Sequence, residues 1–591
     1  MRLLRDSRGN ALVIVTAALI PLAGMVGGGI DLSRMYILKT RMQHACDAGA
    51  LAGRKAMGGG TWSYNNNYAL SQANQFFDGN FQSGIFESSG LTRTFTENAG
   101  KVTGVASATI PMTLMRIFGK TTETLSVSCD AEMRLPNTDV MFVLDTTGSM
   151  GDTPSGDTVS KIASLKTSVK CFYEIVARLD TNATCTTGTP SGGTGNQVQI
   201  RFGFVPYATN VNVGRLLKPE WIADSANYQT RTVDSVNWGG WYGTSYYQAG
   251  RYDTCNPPAA NTASRENRVL GPTRTYGGNT YSNYYCIYES RDASVRWRYD
   301  SLPVNTSLLK NGSGFNASFQ WPIGPNGTDT TISWDGCIEE RQTVSQAGYT
   351  PIPSGAKDLD IDTEPTSGTA STQWRPVLPN LIYTRSSNGA WTTSPVYSTS
   401  DMGRDYYYAC PREAKKLQQW PSADDFDTYV DGLYAQGNTY HDIGLIWGGR
   451  LLSPTGLFAS ENAYTPQGGE IERHMIFMTD GDACTGINNY TAYGVNWFDR
   501  RTTGSAPTDG CTTNGTLTEQ VNARTEALCT AIKNKNITLW VITFGYVDPN
   551  TVTRMTNCAS TGRYFSANNA AQLQSTFKTI ADQISMLRLT K

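Results

Sequence analysis

Charge of one sign, histidine and paired metal-binding cysteines are what this 591-residue chain has least of. Lys and Arg number 49 against 50 Asp and Glu, a formal charge of −1, so no basic field draws nucleic acid. With three histidines (His44, His441, His474) and no Cys-x-x-Cys, the usual zinc spacings are excluded. No Gly-x-x-x-x-Gly-Lys-[Ser/Thr] loop is present to cradle phosphate, and no Gly-x-Ser-x-Gly elbow marks a hydrolase. Charged residues of all kinds make up 17%, below the usual quarter or so, and no segment repeats.

The surplus lies in Gly (58), Tyr (30) and Trp (13), a composition suited to loop-rich, uncharged outer surfaces. Twelve cysteines stand far apart, at 46, 129, 171, 185, 255, 286, 337, 410, 484, 511, 529 and 558. An even number at such separations reads as disulfides closed in an oxidising compartment. Neighbour pairing from Cys171 onward (171–185, 255–286, 337–410, 484–511, 529–558) is the simplest framework, although spacing does not fix connectivity.

The amino terminus agrees with export. MRLLRDSRGN carries Arg2, Arg5 and Arg8 against Asp6, and Ala11 to Ile30 is a run of twenty residues without a charge. As a helix that run measures about 30 Å, enough to span a bilayer. The basic flank is expected in the cytoplasm and the remainder outside. The pattern continues past Asp31 as LSRMYILKTRMQHACDAGALAGRKAM, so the expectation is one long helix leaving the membrane, an anchor rather than a cleaved signal.

Residues 58–136 read as a small α+β module beside the membrane. Within it TLSVSCDAEMRL puts Leu125, Val127, Cys129, Ala131, Met133 and Leu135 on one strand face. From 137 to 591 strands alternate with helices, the mark of a parallel sheet covered by helices. Apolar strands are expected at VMFVLD, QVQIRFGFVPY, HMIFMTD and ITLWVITFG. Between them fall the helical patterns KIASLKTSVKCFYEIVARL, DDFDTYVDGLYA, HDIGLIWGGRLL, TLTEQVNARTEALCTAIKNKN and AAQLQSTFKTIADQISML. An insertion at about 208–424, rich in Tyr, Trp, Asn, Gly and Thr and holding four cysteines, interrupts this order. It is expected to form a disulfide-tied excursion with short strands on the rim of the sheet.

Ligands of an open parallel sheet sit beyond the carboxyl ends of its strands, and three turns fall there. Asp145-Thr146-Thr147-Gly148-Ser149 closes the first strand, AQGNTYHDIG sets Thr439 at a helix start, and FMTDGD sets Asp480 at another strand end. Two carboxylates (Asp145, Asp480) and three hydroxyls (Thr147, Ser149, Thr439) form an all-oxygen set. Such a set suits a hard divalent cation, Mg²⁺ first, with Mn²⁺ and Ca²⁺ served by the same donors. Alternate positions of the first turn can point to one side, and Gly148 lets the backbone bend. His441 reads as a first-turn helix residue. Glu339, Glu340 and Arg341 in GCIEER read as a solvated charge cluster rather than a paired-carboxylate site, since strand neighbours point opposite ways.

These residues resemble the von Willebrand factor A (vWA) domain and its metal-ion-dependent adhesion site. That family's Asp-x-Ser-x-Ser motif maps onto Asp145, Thr147 and Ser149, Thr147 keeping the hydroxyl, while its separate Thr maps onto Thr439 and its later Asp onto Asp480. The resemblance covers about 138–207 and 425–585. It implies a doubly wound parallel sheet whose bound cation accepts a carboxylate from a protein partner, binding rather than catalysing.

The amino terminus resembles the TadG-type start of Flp (tight adherence) pilus-assembly proteins. Asp31 and QHACDAGALA carry the likeness, with Cys46 where the family usually has Ala. RFGFVPYATNVNVG, GCIEERQT and GNTYHDIGLIWGGRLLSP are similar to the vWA-bearing members of that group. Related TadE-type proteins resemble prepilins, cleaved after a Gly with Glu at the fifth position. Here the fifth residue counted from Gly9 is Ile14, which favours an uncleaved chain.

The expected fold is therefore α/β: a basic flank, transmembrane anchor (about 11–30) and continuing helix over 1–57, the α+β module over 58–136, and a vWA domain over 137–591 with its insertion. The resemblances imply a non-enzymatic, single-pass protein of a bacterial inner membrane, its amino terminus cytoplasmic and its bulk extracytoplasmic. It would serve pilus assembly or attachment by binding a protein partner. The alternative is a surface adhesin for host or matrix protein; a hydrolase ranks third for want of a placed His–nucleophile pair.

Overall fold

The computed structural model describes all residues except 1–6, 58–61, 99–100, 133–136, 179–198, 250–263, 467, 509, 511–514, 586–587 and 591. A single helix runs from Ser7 to Met57. Its first part exposes apolar side chains such as Val13, Ile14, Leu19, Ile20 and Leu22. The helix is long and apolar enough to cross a membrane. Past Asp31 the buried positions Leu38, Met42, Ala45, Cys46 and Ala50 follow helical spacing, so only one stripe faces protein.

That stripe, with Ala73, Phe77 and Phe81 of the helix Tyr64–Asn80 and its C-cap, shares one core with an antiparallel sheet. The sheet orders Ser89–Asn98, Lys101–Pro111 and Thr122–Glu132, and its edge is completed by the carboxyl-terminal strand Arg588–Thr590. Leu125, Val127, Cys129 and Ala131 are buried, as the alternation predicts, while Met133 and Leu135 lie outside the described residues. A Cys46–Cys129 disulfide joins the long helix to this strand.

The larger sheet has six strands in the order Lys415–Gln418, Ile200–Tyr207, Thr138–Asp145, Glu472–Thr479, Ile537–Phe544 and Tyr564–Ala567. All pair in parallel except the antiparallel edge strand Lys415–Gln418. All eight residues of Thr138–Asp145 are buried, because this strand is central and covered on both faces. Val140, Phe142 and Leu144 pack with Leu165, Val169 and Phe172 of helix Lys161–Arg178 and with Leu573, Phe577 and Ile580 of helix Ala570–Ile584. Met141 and Val143 face the other way, onto Ile443, Ile446 and Trp447 of helix His441–Leu452 and Leu528 of helix Thr516–Lys533. Helix His441–Leu452 lies close against the sheet. A β-carbon at Gly448 would come 2.4 Å from Val143 Cγ2 and one at Gly444 would come 2.6 Å from Tyr207 Cδ1.

Two expectations require correction. The insertion is no rim excursion: Trp221, Tyr228, Trp297, Tyr299, Trp334 and Trp374 share one continuous core with Met141, Val143 and helix His441–Leu452. Its aromatics thus cover one helical face of the sheet. GCIEER is likewise not solvated. Glu339, Glu340 and Arg341 are all buried. Glu340 accepts from three donors: Arg450 Nη1 (2.8 Å to Oε1 and 3.0 Å to Oε2), Trp447 Nε1 (2.7 Å to Oε1) and Trp374 Nε1 (3.0 Å to Oε2). Burial alone would raise this carboxyl; the guanidinium and indole donors outweigh it and hold Glu340 below its usual range.

Cys337–Cys410 and Cys529–Cys558 are bonded as neighbour pairing predicts. Cys171 and Cys484 are also disulfide-bonded, but the pairings 171–185, 255–286 and 484–511 fall outside the described residues.

His474 lies in the sheet with its Nδ1 accepting from Trp540 Nε1 at 3.3 Å. Burial, then the positive charge of Arg563, brings its imidazole down to about 4. The unfolded chain protonates this group near 6.5 while the folded one stays neutral to about 4, so acidification across that window favours unfolding. His474→Gln, which keeps an acceptor for Trp540, is expected to lose about 3 kcal/mol less stability than the parent between pH 6.5 and 4. Urea unfolding across that range measures it; superimposable pH profiles would refute a neutral buried His474.

Candidate metal centre

Asp145 ends the central strand, and its register opposite Tyr207 places it at the carboxyl edge of the sheet. The next residues break from the strand into a single turn, Gly148–Gly151. The carboxylate of Asp145 is buried and held from several sides. Oδ1 accepts from the Thr147 N–H at 2.9 Å; Oδ2 accepts from Thr479 Oγ1 at 2.9 Å and lies 3.4 Å from both the Asp480 nitrogen and the Tyr207 hydroxyl. Burial first, and the neighbouring Asp480 charge second, push the Asp145 carboxyl up to about 7.

The remaining oxygens form a chain leading away from Asp145. Thr147 Oγ1 lies 3.1 Å from Ser149 Oγ, and Ser149 Oγ donates to Asp480 Oδ1 at 2.8 Å. Thr439 arrives on a separate loop bonded to the first turn, the Gly148 N–H donating to Gly437 O (2.8 Å) and the Gln436 N–H to Thr146 O (2.8 Å). Gly437 adopts φ of +97°, and a β-carbon there would fall 2.9 Å from Thr209 Oγ1, so glycine is required for this approach. Thr439 is buried and exchanges backbone hydrogen bonds with Cys484, just beyond Asp480. Asp145, Thr147, Ser149 and Asp480 are therefore linked directly, and Thr439 joins them through its loop.

Two features of the site escape sequence reasoning. Lys161, the first residue of helix Lys161–Arg178, donates from Nζ to Asp480 Oδ2 at 2.9 Å. Its side chain is 14% exposed and that of Asp480 fully buried, so the ammonium is a resident counter-charge for this carboxylate. No motif carries it: a lysine opening an amphipathic helix looks like any solvated one. Second, His441 is fully buried behind the site with Nε2 2.9 Å from Thr479 Oγ1. With Thr479 donating to an ionised Asp145, His441 is assigned as the donor in this contact, the Nε2–H tautomer. Burial, then the charge of Arg554, lowers its imidazole to about 3, so it positions Thr479 as a neutral group.

The donor set is entirely oxygen, with two carboxylates near one another and hydroxyls between them, which fits a hard divalent ion and not zinc bound by thiolates. Asp335, Cys337 and Cys410 also cluster, but the two cysteines are joined in a disulfide and offer no thiolate.

At the other end of the chain, Asp31 closes the apolar part of the long helix. Its carboxylate accepts three backbone N–H groups, from Thr113 (2.8 Å), Leu114 (3.0 Å) and Met115 (2.9 Å), while Arg34 bonds Phe86 O and Pro111 O. An acidic residue at this point thus ties the small sheet to the helix that precedes it.

Residues 9–58 match the family model described as "Putative Flp pilus-assembly TadE/G-like". Over this amino-terminal stretch the chain is similar to TadE/G-like proteins. No curated protein matches the chain. Among solved structures, the pilus adhesin SpaC of Lactobacillus rhamnosus GG is similar at 10% identity and a TM-score of 0.30, over 85% of this chain and 36% of that one. Proximal thread matrix protein 1 of the mussel byssus is similar at 12% identity and a TM-score of 0.18, over 31% and 35% of the two chains. A form of the same mussel protein with a zinc-occupied MIDAS motif is similar at 14% identity and the same TM-score of 0.18, over 31% and 36%. The chain spans little more than a third of the length of the adhesin, and TM-scores this low define no shared fold.

Proposed function

We propose that this chain is a membrane-anchored component of a Flp/Tad pilus system that recognises a protein partner through a vWA-type metal-ion-dependent adhesion site. The observation that carries this reading is the convergence of Asp145, Thr147, Ser149 and Asp480 at the carboxyl edge of a parallel sheet, in a chain whose amino terminus is TadE/G-like. The doubly covered sheet and the oxygen-only donor set support the vWA assignment; the long exposed apolar helix supports the anchor. The amino terminus then lies in the cytoplasm and the large sheet outside it, where disulfides are stable.

Asp145, Thr147, Ser149, Thr439 and Asp480 would hold Mg²⁺, which supplies a point of positive charge for a partner's carboxylate. The residues around that point bind rather than catalyse. His441 is committed to Thr479 inside the core, and Lys161 to Asp480. Tyr546, 88% exposed, follows Gly545, where a β-carbon would fall 3.3 Å from Lys161 Cε, and offers an aromatic contact on the rim.

Deleting the gene is expected to abolish Flp pili, and restoring it as Asp145→Asn is expected to leave the defect while the protein accumulates normally in the membrane. Normal piliation in the deletion strain, with surface attachment lost, would overturn assembly in favour of adhesion. Full rescue by Asp145→Asn would overturn the role of the cation site.

A further inference from the structure

The turn Met115–Phe118, between strands Lys101–Pro111 and Thr122–Glu132, is anchored and yet exposes apolar side chains. Asp31 fixes its start through the N–H groups of Thr113, Leu114 and Met115. From there the turn descends along the long helix toward its amino-terminal end. A β-carbon at Gly27 would lie 2.7 Å from Leu114 Cβ, and one at Gly24 would lie 3.3 Å from the Phe118 ring. Gly24, Gly27 and Gly28 therefore form the groove in which the turn rests. Gly119, with φ of +89°, closes it by donating to Arg116 O.

Despite this firm seat, Ile117 is 72% and Phe118 45% exposed. The helix surface at the same level is also apolar and open, with Leu22, Met25, Val26 and Ile30 all exposed. Arg116 and Lys120, both exposed, flank the apolar tip. Gly24 lies six residues before Ile30, the last residue of the uncharged run, so Phe118 sits about 9 Å inside the end of that run at the helical rise per residue. Apolar side chains of interfacial segments reach depths of about 5–10 Å, with basic residues at the headgroups.

We infer that the turn Met115–Phe118 inserts into the outward-facing leaflet beside the anchor helix, with Ile117 and Phe118 in contact with lipid. This rests on the reading of the Ser7–Met57 helix as a membrane anchor. The turn would then act as a second foothold, fixing the tilt and rotation of the small sheet at the membrane surface.

The test uses the full chain in nanodiscs of phosphatidylethanolamine and phosphatidylglycerol, with one added cysteine at a time carrying a nitroxide. No free cysteine is present among the described residues to compete for label. Ile117→Cys is expected to collide several-fold more with oxygen, relative to a water-soluble nickel chelate, than Asn98→Cys at the far end of the small sheet. Ile20→Cys, in the anchor, should read as deeper still. Equal aqueous readings at positions 117 and 98 with a deep reading at 20 would overturn the inserted turn and leave the anchor intact. An aqueous reading at 20 would overturn both. A label at 117 shielded from oxygen and nickel alike would mean that protein covers the tip, and would also overturn it.

Discussion

Arg450→Met is expected to destabilise the large sheet and its insertion by about 3–5 kcal/mol, because it strands a buried, fully ionised Glu340. Arg450 lies on helix His441–Leu452 and Glu340 lies in the insertion, both with fully buried side chains. Arg450 also bonds Asp358 O (2.6 Å) and Asp360 O (3.2 Å), so one guanidinium holds three points of the insertion. A second such pin stands beside it, Arg524 pairing with Asp358 and with Asp442 Oδ2 at 3.0 Å. Urea unfolding of the single variant and of Glu340→Leu/Arg450→Met separates the pair's net worth from the cost of leaving one charge alone. The double variant should lose much less than Arg450→Met. Equal losses would mean that Glu340 finds another partner.

Lys161→Met is expected to tighten Mg²⁺ binding by about tenfold to a hundredfold, the worth of a charge-assisted hydrogen bond of roughly 1.5–3 kcal/mol. In the parent chain the ammonium must leave Asp480 Oδ2 before that oxygen can serve a divalent ion. Without it, Asp145 and Asp480 face each other with no cation between them, so the variant should melt earlier in chelator and recover most of the loss in Mg²⁺. Calorimetric titration and melting measured on one preparation give both quantities. Unchanged or weaker Mg²⁺ affinity would show that Lys161 and the ion do not compete for Asp480.

What the sequence revealed and what it hid follow from range. The four central strands were legible because strands buried on both faces are almost wholly apolar, as in VMFVLD. Lys415–Gln418 was missed because an edge strand pairs on one side only and can be as polar as KKLQ. Helix Pro549–Cys558 and strand Tyr564–Ala567, also missed, are short and weakly patterned. The insertion misled because its packing residues have no period: Trp374 and Trp221, far apart in sequence, meet each other, and Trp374 meets Trp447 of helix His441–Leu452. Glu340 looked solvated because its partner Arg450 is 110 residues away. In the site, Asp145, Thr147 and Ser149 were visible as a local pattern and Asp480 as a strand end. Lys161 and His441 act across elements, and their roles appear only when the helices are placed on the sheet.

The most direct measurement is a calorimetric Mg²⁺ titration of the full chain in nanodiscs, parent against Asp145→Asn. One ion per parent chain, with no detectable heat in the variant and an unchanged circular dichroism spectrum, is the predicted result. Absence of Mg²⁺ or Mn²⁺ binding by the parent, or equal binding by Asp145→Asn, would contradict the cation site on which the proposed function rests.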